Sequence, residues 1–348
     1  MSPGVKKGLA IGGGVAVLAV AMFFLLGNRD GESPIDKINP FNEEPVVCPM
    51  TGLEPSKESL VDRPAVAVKI ENNSVAYPLS GLADAEIVYE ELVEGGLTRF
   101  LTMFHCTDAA QAGPVRSSRE IDPSIMVPAT RILAAAGGNA TVRSTLEEAG
   151  IFLLDENDSG EAMSRIPREG ISSEHTLYAD TKALRKLGSK EHDDPPPDDL
   201  FRFGELEGKA RKATTISLSF SAASDISFEW NGDGWARSDG GAPLVDDQGN
   251  QIVVDNVVIE EHTYNYSAVS DVIGTPSVII EDVEGSGRAL LFRDGKVIRG
   301  RWEREDVESA VRFVTRDGEE MVFAPGTTWI ELVPSDKGEA KGSFDFAR

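Results

Sequence analysis

The pattern of apolar and polar positions divides the chain into four segments. Residues 8–27 form an uncharged, mostly apolar run of 20 residues, and a helix of that length spans about 30 Å, the thickness of a bilayer's hydrocarbon core. Residues 28–47 are polar and contain three prolines, a composition that cannot bury a core and that predicts a disordered spacer. Two further segments, residues 48–205 and 206–334, have the apolar periodicity of folded domains.

The segment at residues 48–205 mixes strand-like and helix-like patterns. Two runs are typical of strands and two of helices, in this order: residues 65–70, 100–106, 141–149 and 182–190. Residues 83–94 fit either structure. We therefore predict an α+β or α/β N-terminal domain.

The segment at residues 206–334 consists of short β-rich runs separated by tight-turn dipeptides. Asn231-Gly232 and Asp294-Gly295 are examples, and such pairs favour the hairpin turns that need a positive φ. This pattern predicts a smaller, antiparallel, β-rich C-terminal domain. We expect the tail, residues 335–348, to be flexible.

Charges next to the apolar run indicate its orientation. Lys6 and Lys7 precede the run, whereas Arg29 after it is accompanied by Asp30 and Glu32. The positive-inside rule then places residues 1–7 in the cytoplasm and the domains outside. We predict an uncleaved transmembrane anchor at residues 8–27, so that the protein is a single-pass protein of the cell membrane. A cleaved signal peptide is the alternative.

Composition restricts the partners and the redox state. The formal net charge is −24, with a sequence pI of about 4.6, which argues against binding to nucleic acid or to anionic lipid headgroups. Cys48 and Cys106 are the two cysteines, and in an exported chain an even number predicts a disulfide; two unpaired thiols are the alternative. The spacing of cysteine and histidine residues indicates no metal site, and we predict no cofactor.

Arginine is concentrated in one short stretch of this acidic chain. Residues 97–119 contain Arg99, Arg116 and Arg119 but one acid, Asp108, whereas the chain has 58 Asp and Glu against 34 Lys and Arg. Guanidinium groups match carboxylate or phosphate oxygens two at a time, so this stretch predicts an anion site. The alternative is that the arginines pair with internal acids such as Glu94.

Four other residues are candidates for the same site. Gly137 and Gly138 fall between a predicted strand and a predicted helix, where backbone N–H groups can face an anion; a plain turn capped by Asn139 or Thr141 is the alternative. The Ser117 hydroxyl can bond an anion. His175 can donate to a ligand or carry a proton near neutral pH, or it can be a structural histidine bonded to backbone.

Several sequence words, in order, resemble the YerB-like envelope proteins. In the first domain they are Pro49-Met50-Thr51-Gly52, Arg63-Pro64-Ala65-Val66-Ala67-Val68-Lys69-Ile70-Glu71-Asn72, Glu94-Gly95-Gly96 and Gly113-Pro114-Val115-Arg116-Ser117-Ser118-Arg119. In the second they are Gly285-Ser286-Gly287-Arg288, Gly300-Arg301-Trp302 and Pro325-Gly326-Thr327-Thr328-Trp329-Ile330. The resemblance covers roughly residues 48–334. It implies two domains in the cell envelope but no reaction, since this family has no known function.

Two functions of different classes follow. The first is a membrane-anchored, extracytoplasmic binding or scaffold protein that holds an anionic group of a cell-wall polymer or of an envelope protein at the arginines. The second is an enzyme acting on peptidoglycan or an anionic wall polymer, with His175 as proton carrier. The familiar catalytic sequence signatures are missing, so we favour binding.

Overall fold

The computed structural model describes residues 45–270 and 274–348, and this part of the chain is mostly β-structure with few helices. The strands are β1 (Val66–Asn72), β2 (Ile87–Leu92), β3 (Thr98–Phe104), β4 (Ile132–Ala134), β5 (Phe152–Leu154), β6 (Met163–Arg165), β7 (Leu177–Ala179), β8 (Arg202–Phe203), β9 (Arg211–Lys212), β10 (Thr215–Ser219), β11 (Ile226–Trp230), β12 (Trp235–Asp239), β13 (Ala242–Pro243), β14 (Val253–Val254), β15 (Asn256–His262), β16 (Tyr264–Ser270), β17 (Pro276–Ile280), β18 (Gly285–Arg293), β19 (Lys296–Arg304), β20 (Arg312–Thr315), β21 (Val322–Phe323), β22 (Thr328–Pro334) and β23 (Ser343–Ala347). The α-helices are α1 (Asp122–Met126), α2 (Ala140–Glu148) and α3 (Thr181–Gly188).

The largest sheet joins the two segments that the sequence predicts as separate domains. Its order is β20-β19-β18-β15-β22-β2-β3-β1-β4-β5, with β9 beside β19. Strand β22, from the C-terminal segment, runs parallel to β2 on one side and to β15 on the other. The C-terminal segment is therefore not purely antiparallel as predicted, and its sheet continues without a break into the N-terminal segment.

The middle of this sheet is covered on both faces. Every residue of β1, β2 and β22 is buried, as expected for strands that have no solvent-facing side. A second sheet, of order β13-β12-β11-β10-β23 with β14 beside β12, packs aromatic rings on one face: the rings of Phe228 and Trp329 lie 6.3 Å apart. Helix α3 contacts β1, β4 and β5.

Local signals in the sequence account for the helices and for most strand positions. Helix α2 begins after Asn139, whose side chain accepts a hydrogen bond from the Val142 N–H at 2.9 Å, and Asp180 caps α3 in the same way. Such caps satisfy N–H groups that the first turn of a helix leaves free. The predicted helices lie within two residues of α2 and α3, and the ambiguous stretch 83–94 contains strand β2.

The C-terminal tail departs from the prediction. Residues Ser343–Ala347 form β23, which pairs antiparallel with β10 from Thr215↔Ala347 to Ser219↔Ser343. The prediction of a flexible tail is therefore wrong for this stretch, because pairing with β10 stabilises a run that has no turn signals of its own.

The predicted disulfide is confirmed. Cys48 and Cys106 are bonded, with their Cα atoms 6.1 Å apart, so the start of the described chain is tied to the end of β3. The predicted cytoplasmic N-terminus, the anchor at 8–27 and nearly all of the spacer at 28–47 lie outside the described residues. Among the residues that are described, no helix is both long and apolar enough to cross a membrane.

Candidate anion-binding cleft

A cleft of about 620 Å³ brings together residues from both halves of the chain. Its lining includes four arginines, two glutamates and the glycine turn, namely Arg99, Arg116, Arg119, Arg143, Glu71, Glu94, Gly137 and Gly138, together with Ser117. Ser270, Thr275 and Ser277 of the C-terminal half also line it. Four guanidinium groups against two carboxylates give this lining a formal charge of +2, in a chain whose net charge is −24.

Arg99 projects from β3. In the sheet register it lies beside Glu71 of β1 and Glu91 of β2. Its Nη1 donates to the carbonyl of Ser117 at 2.7 Å. Burial, reinforced by the positive charge of Arg119, lowers the pKa of Arg99 to about 9, so the guanidinium is still charged at neutral pH.

The loop that carries Arg116 and Arg119 is fixed from below by a buried charged cluster. The backbone N–H of Arg116 donates to the carbonyl of Lys69 at 2.8 Å, and that of Arg119 donates to Asp122 Oδ2 at 2.7 Å. Lys69 Nζ in turn lies 2.6 Å from Asp122 Oδ1 and 2.5 Å from Glu91 Oε1. All three side chains of this cluster are at most 1% exposed, so the loop rests on a rigid base.

Arg116 and Arg119 have internal partners but keep surface in the cleft. Arg119 Nε donates to Glu94 Oε2 at 3.0 Å, which is the pairing that the sequence offered as the alternative to an anion site. Arg116 Nη1 donates to the carbonyl of Glu174 at 3.0 Å, and its Nε is 3.9 Å from Glu71 Oε2. The Arg116 side chain is 27% exposed and that of Arg119 13%, so internal pairing is present and both side chains still reach the cleft.

His175 lies behind the cleft rather than in its wall. Its Nδ1 is 2.8 Å from Glu71 Oε2 and its Nε2 is 3.3 Å from Glu174 Oε1. Burial raises the pKa of Glu71, although Arg116 and His175 oppose the increase. The imidazole ring of His175 is therefore in contact with a cleft carboxylate, and its partners are the side chains of Glu71 and Glu174.

The glycine turn lies at the cleft as the sequence pattern predicts. Gly137 has φ +80°, a region that side chains disfavour, and its carbonyl accepts bonds from the N–H and the hydroxyl of Ser118, both at 2.9 Å. A Cβ on Gly138 would come within 2.8 Å of Val142. Both glycines are thus needed for the close approach of this turn to the 116–119 loop and to α2.

Three charged lining residues were not among the predicted site residues: Glu71, Glu94 and Arg143. Arg143 projects from the first turns of α2, where Nη2 lies 3.3 Å from Asp155 Oδ2, and half of its side chain is exposed. Its position five residues after Gly138, at the start of the predicted helix, is the sequence signal that could have identified it. Glu71 directly follows the predicted strand at residues 65–70, and a carboxylate at that position is a comparable signal.

Two family models match the chain, one in each half. They are "Protein of unknown function (DUF3048) N-terminal domain" at residues 50–194 and "Protein of unknown function (DUF3048) C-terminal domain" at residues 216–330. The chain belongs to this family. The resemblance predicted from the sequence words is thereby confirmed, and the cleft of this DUF3048 protein is lined by residues of both family domains.

Relatives agree with this assignment. The chain is 26% identical over 325 residues to a Bacillus subtilis (strain 168) protein described as "Putative lipoprotein YerB", which covers 90% of this chain and 92% of the relative. It is also similar to the crystal structure of YerB protein from Bacillus subtilis, with a TM-score of 0.70 and 25% identity, over 86% of this chain and 99% of that one.

Proposed function

We propose that this DUF3048 protein is an extracytoplasmic binding or scaffold protein of the cell envelope that holds an anionic ligand in the arginine-lined cleft. The observation that carries the proposal is the convergence of four arginines on one cleft in a strongly acidic chain. Such a local reversal of charge attracts an anion electrostatically, and guanidinium groups give it oriented hydrogen bonds. The ligand class is an anionic group of a cell-wall polymer or an acidic segment of an envelope protein.

The lack of an ion pair at Arg99 also supports the proposal that the cleft binds an anion. In the part of the chain that the structure describes, no carboxylate forms an ion pair with Arg99, and its one recorded bond is to a backbone carbonyl. A partly buried guanidinium with no carboxylate in direct contact is costly, and an incoming phosphate or carboxylate would relieve that cost. Ser117, Gly137 and Gly138 beside it supply a hydroxyl and a close backbone.

The envelope location rests on two observations. The apolar run at 8–27 is long enough to cross a bilayer, and the Bacillus subtilis relative is described as "Putative lipoprotein YerB". We propose a single-pass anchor with both family domains outside. Fusion of a reporter active only outside the cytoplasm to residue 348 should give signal, and loss of signal would contradict this topology.

Binding can be tested with the full chain in a neutral detergent and purified cell-wall sacculi as the probe. Arg99→Gln and Arg116→Ala should each weaken retention on sacculi about tenfold, the effect of losing one charge-assisted hydrogen bond. Arg202→Gln is the matched control, because Arg202 is exposed, pairs with Glu207 and lies outside the cleft. Equal retention of the Arg116 and Arg202 variants would remove the proposal.

One observation favours an enzyme acting on the same class of polymer. Glu71 lines the cleft, has a raised pKa and is hydrogen-bonded to His175, an arrangement that suits a general acid. If this alternative holds, the wild-type chain incubated with sacculi will release soluble fragments, and Glu71→Gln will stop release while binding persists. If the wild type releases nothing, the cleft binds without catalysis.

A further inference from the structure

A second group of arginines lies on the C-terminal half of the molecule. It consists of Arg211, Arg288, Arg299, Arg316 and Arg348, which we call the arginine patch. None of these residues lines the cleft described above.

The sheet register places the centre of the patch on one face. Arg299 of β19 is directly opposite Leu290 of β18, and Leu290 shares its face with Arg288 because side chains two apart on a strand point the same way. Arg211 of β9 pairs with Val297, two residues before Arg299. The pairing of Thr315 with Gly300 brings the next residue, Arg316, level with Arg299.

Two aromatic rings of β23 hold part of the patch in place. The Arg299 guanidinium carbon lies 5.1 Å from the centre of the Phe346 ring, and that of Arg288 lies 4.6 Å from the centre of the Phe344 ring. Stacking on a ring fixes the plane of a guanidinium and leaves its N–H edge for a further partner. Arg299 Nε is buried and has no hydrogen-bond partner within the described residues.

The charges of the patch are largely uncompensated. Arg288 pairs with Glu261 at 3.1 Å, but among the described residues Arg211, Arg299 and Arg316 form no ion pair with a carboxylate. Burial and the surrounding arginines lower the pKa of Arg299, which is the electrostatic sign of this crowding. A cluster of unpaired like charges opposes folding, and nothing in the packing of the exposed Arg211 and Arg316 requires it.

We infer that the arginine patch is a second binding surface, specific for a linear polyanion that carries phosphate groups. Guanidinium groups match phosphate oxygens in pairs, and a row of them across neighbouring strands suits a chain of repeated charges. A thin polymer can lie along this row without approaching the rest of the protein. A flat anionic bilayer would instead meet the acidic surface of a chain with net charge −24 within the screening length of roughly 8–10 Å.

The test uses the full chain in a neutral detergent and fluorescent long-chain inorganic polyphosphate as the probe. The double variant Arg211→Gln with Arg316→Gln removes two exposed charges without touching the core. We expect about a tenfold or greater loss of affinity and a log–log salt dependence that is shallower by about 1.5, since each lost phosphate contact removes about 0.7–0.9 from that slope. Arg299→Gln should weaken binding similarly.

The matched control is Lys182→Gln with Lys186→Gln, which removes two exposed charges from helix α3. It should bind polyphosphate like the wild type, and so should Arg116→Ala, whose charge belongs to the cleft. Equal losses in the patch and α3 variants would overturn the inference, because they would reflect net charge alone. Binding to phosphatidylglycerol vesicles in place of polyphosphate would overturn it as well.

Discussion

Lys69→Met tests whether the buried cluster under the cleft is held together by its single ammonium group. Lys69, Glu91 and Asp122 are almost completely buried, and Lys69 Nζ contacts both carboxylates. Methionine has a similar length and no charge, so the substitution leaves two carboxylates without their counter-ion. Removing one partner of a buried ion pair costs about 3–5 kcal/mol in the free energy of unfolding.

The loss of unfolding free energy caused by Lys69→Met should become larger as pH rises. Burial raises the pKa of Glu91 from 4.5 to about 7. The contribution of protonated Glu91 to the free energy of unfolding is therefore fully present below pH 4.5 and is lost as pH rises through 7. Without the ammonium group of Lys69, the folded variant must keep Glu91 protonated at still higher pH. Each pH unit above 7 therefore adds about 1.4 kcal/mol to the penalty, or about 3 kcal/mol by pH 9.

Urea unfolding of the wild type and of Lys69→Met at pH 6 and pH 9 measures this difference. In a Glu91→Gln background the penalty of Lys69→Met should depend on pH less steeply. Lys182→Met, on the exposed face of α3, is the control and should change stability by less than about 0.5 kcal/mol. A Lys69→Met penalty that is the same at pH 6 and pH 9 would refute the reasoning.

Three further predictions concern other parts of the fold. Burial alone would lower the pKa of His262, but two carboxyl side chains raise it from 6.5 to about 9. Protonated His262 should therefore contribute about 3 kcal/mol to the free energy of unfolding below pH 6.5, and this contribution should be lost as pH rises through 9. The difference in stability between wild type and His262→Gln, measured by urea unfolding, should shrink over the same range. Reduction of the Cys48–Cys106 disulfide, whose partners are 58 residues apart, should cost about 4 kcal/mol by loop entropy, and mass shifts on alkylation before and after reduction report its state. Gly81→Ala should cost more than Gly170→Ala in thermal unfolding: both have positive φ, but a Cβ at Gly81 meets the backbone Cα of Ala112 at 2.9 Å and one at Gly170 meets nothing within 4 Å.

Local patterns in the sequence predicted where strands and helices form better than they predicted which strands pair with each other. Residues 65–70 and 141–149 correspond to β1 and α2 within two residues, because apolar spacing and caps are short-range signals. The parallel pairing of Ile87 with Thr328 joins strands more than 200 residues apart, and no local pattern specifies it. The same holds for β23, which forms only because β10 offers it an edge.

The sequence predicted those residues of the candidate cleft whose type alone indicates a possible role in binding. Arginines and a glycine turn attract notice in an acidic chain, so Arg99 and Gly137 could be singled out. Buried charges were not predicted, because charged residues are assumed to be exposed. Arg237 is an example: it is fully buried against Phe100 and Trp329, with Nη2 2.9 Å from Glu90 Oε2.

The position of β22 in the large sheet has a consequence for synthesis. Strand β2 can pair with β22 only after residues 328–334 have been translated. The large sheet therefore stays incomplete until synthesis of the chain is nearly finished. Strand pairing over such separations is slow. A truncated product ending before Thr328 would expose the long apolar edges of two strands, and quality-control proteases should remove it rather than release a working N-terminal half.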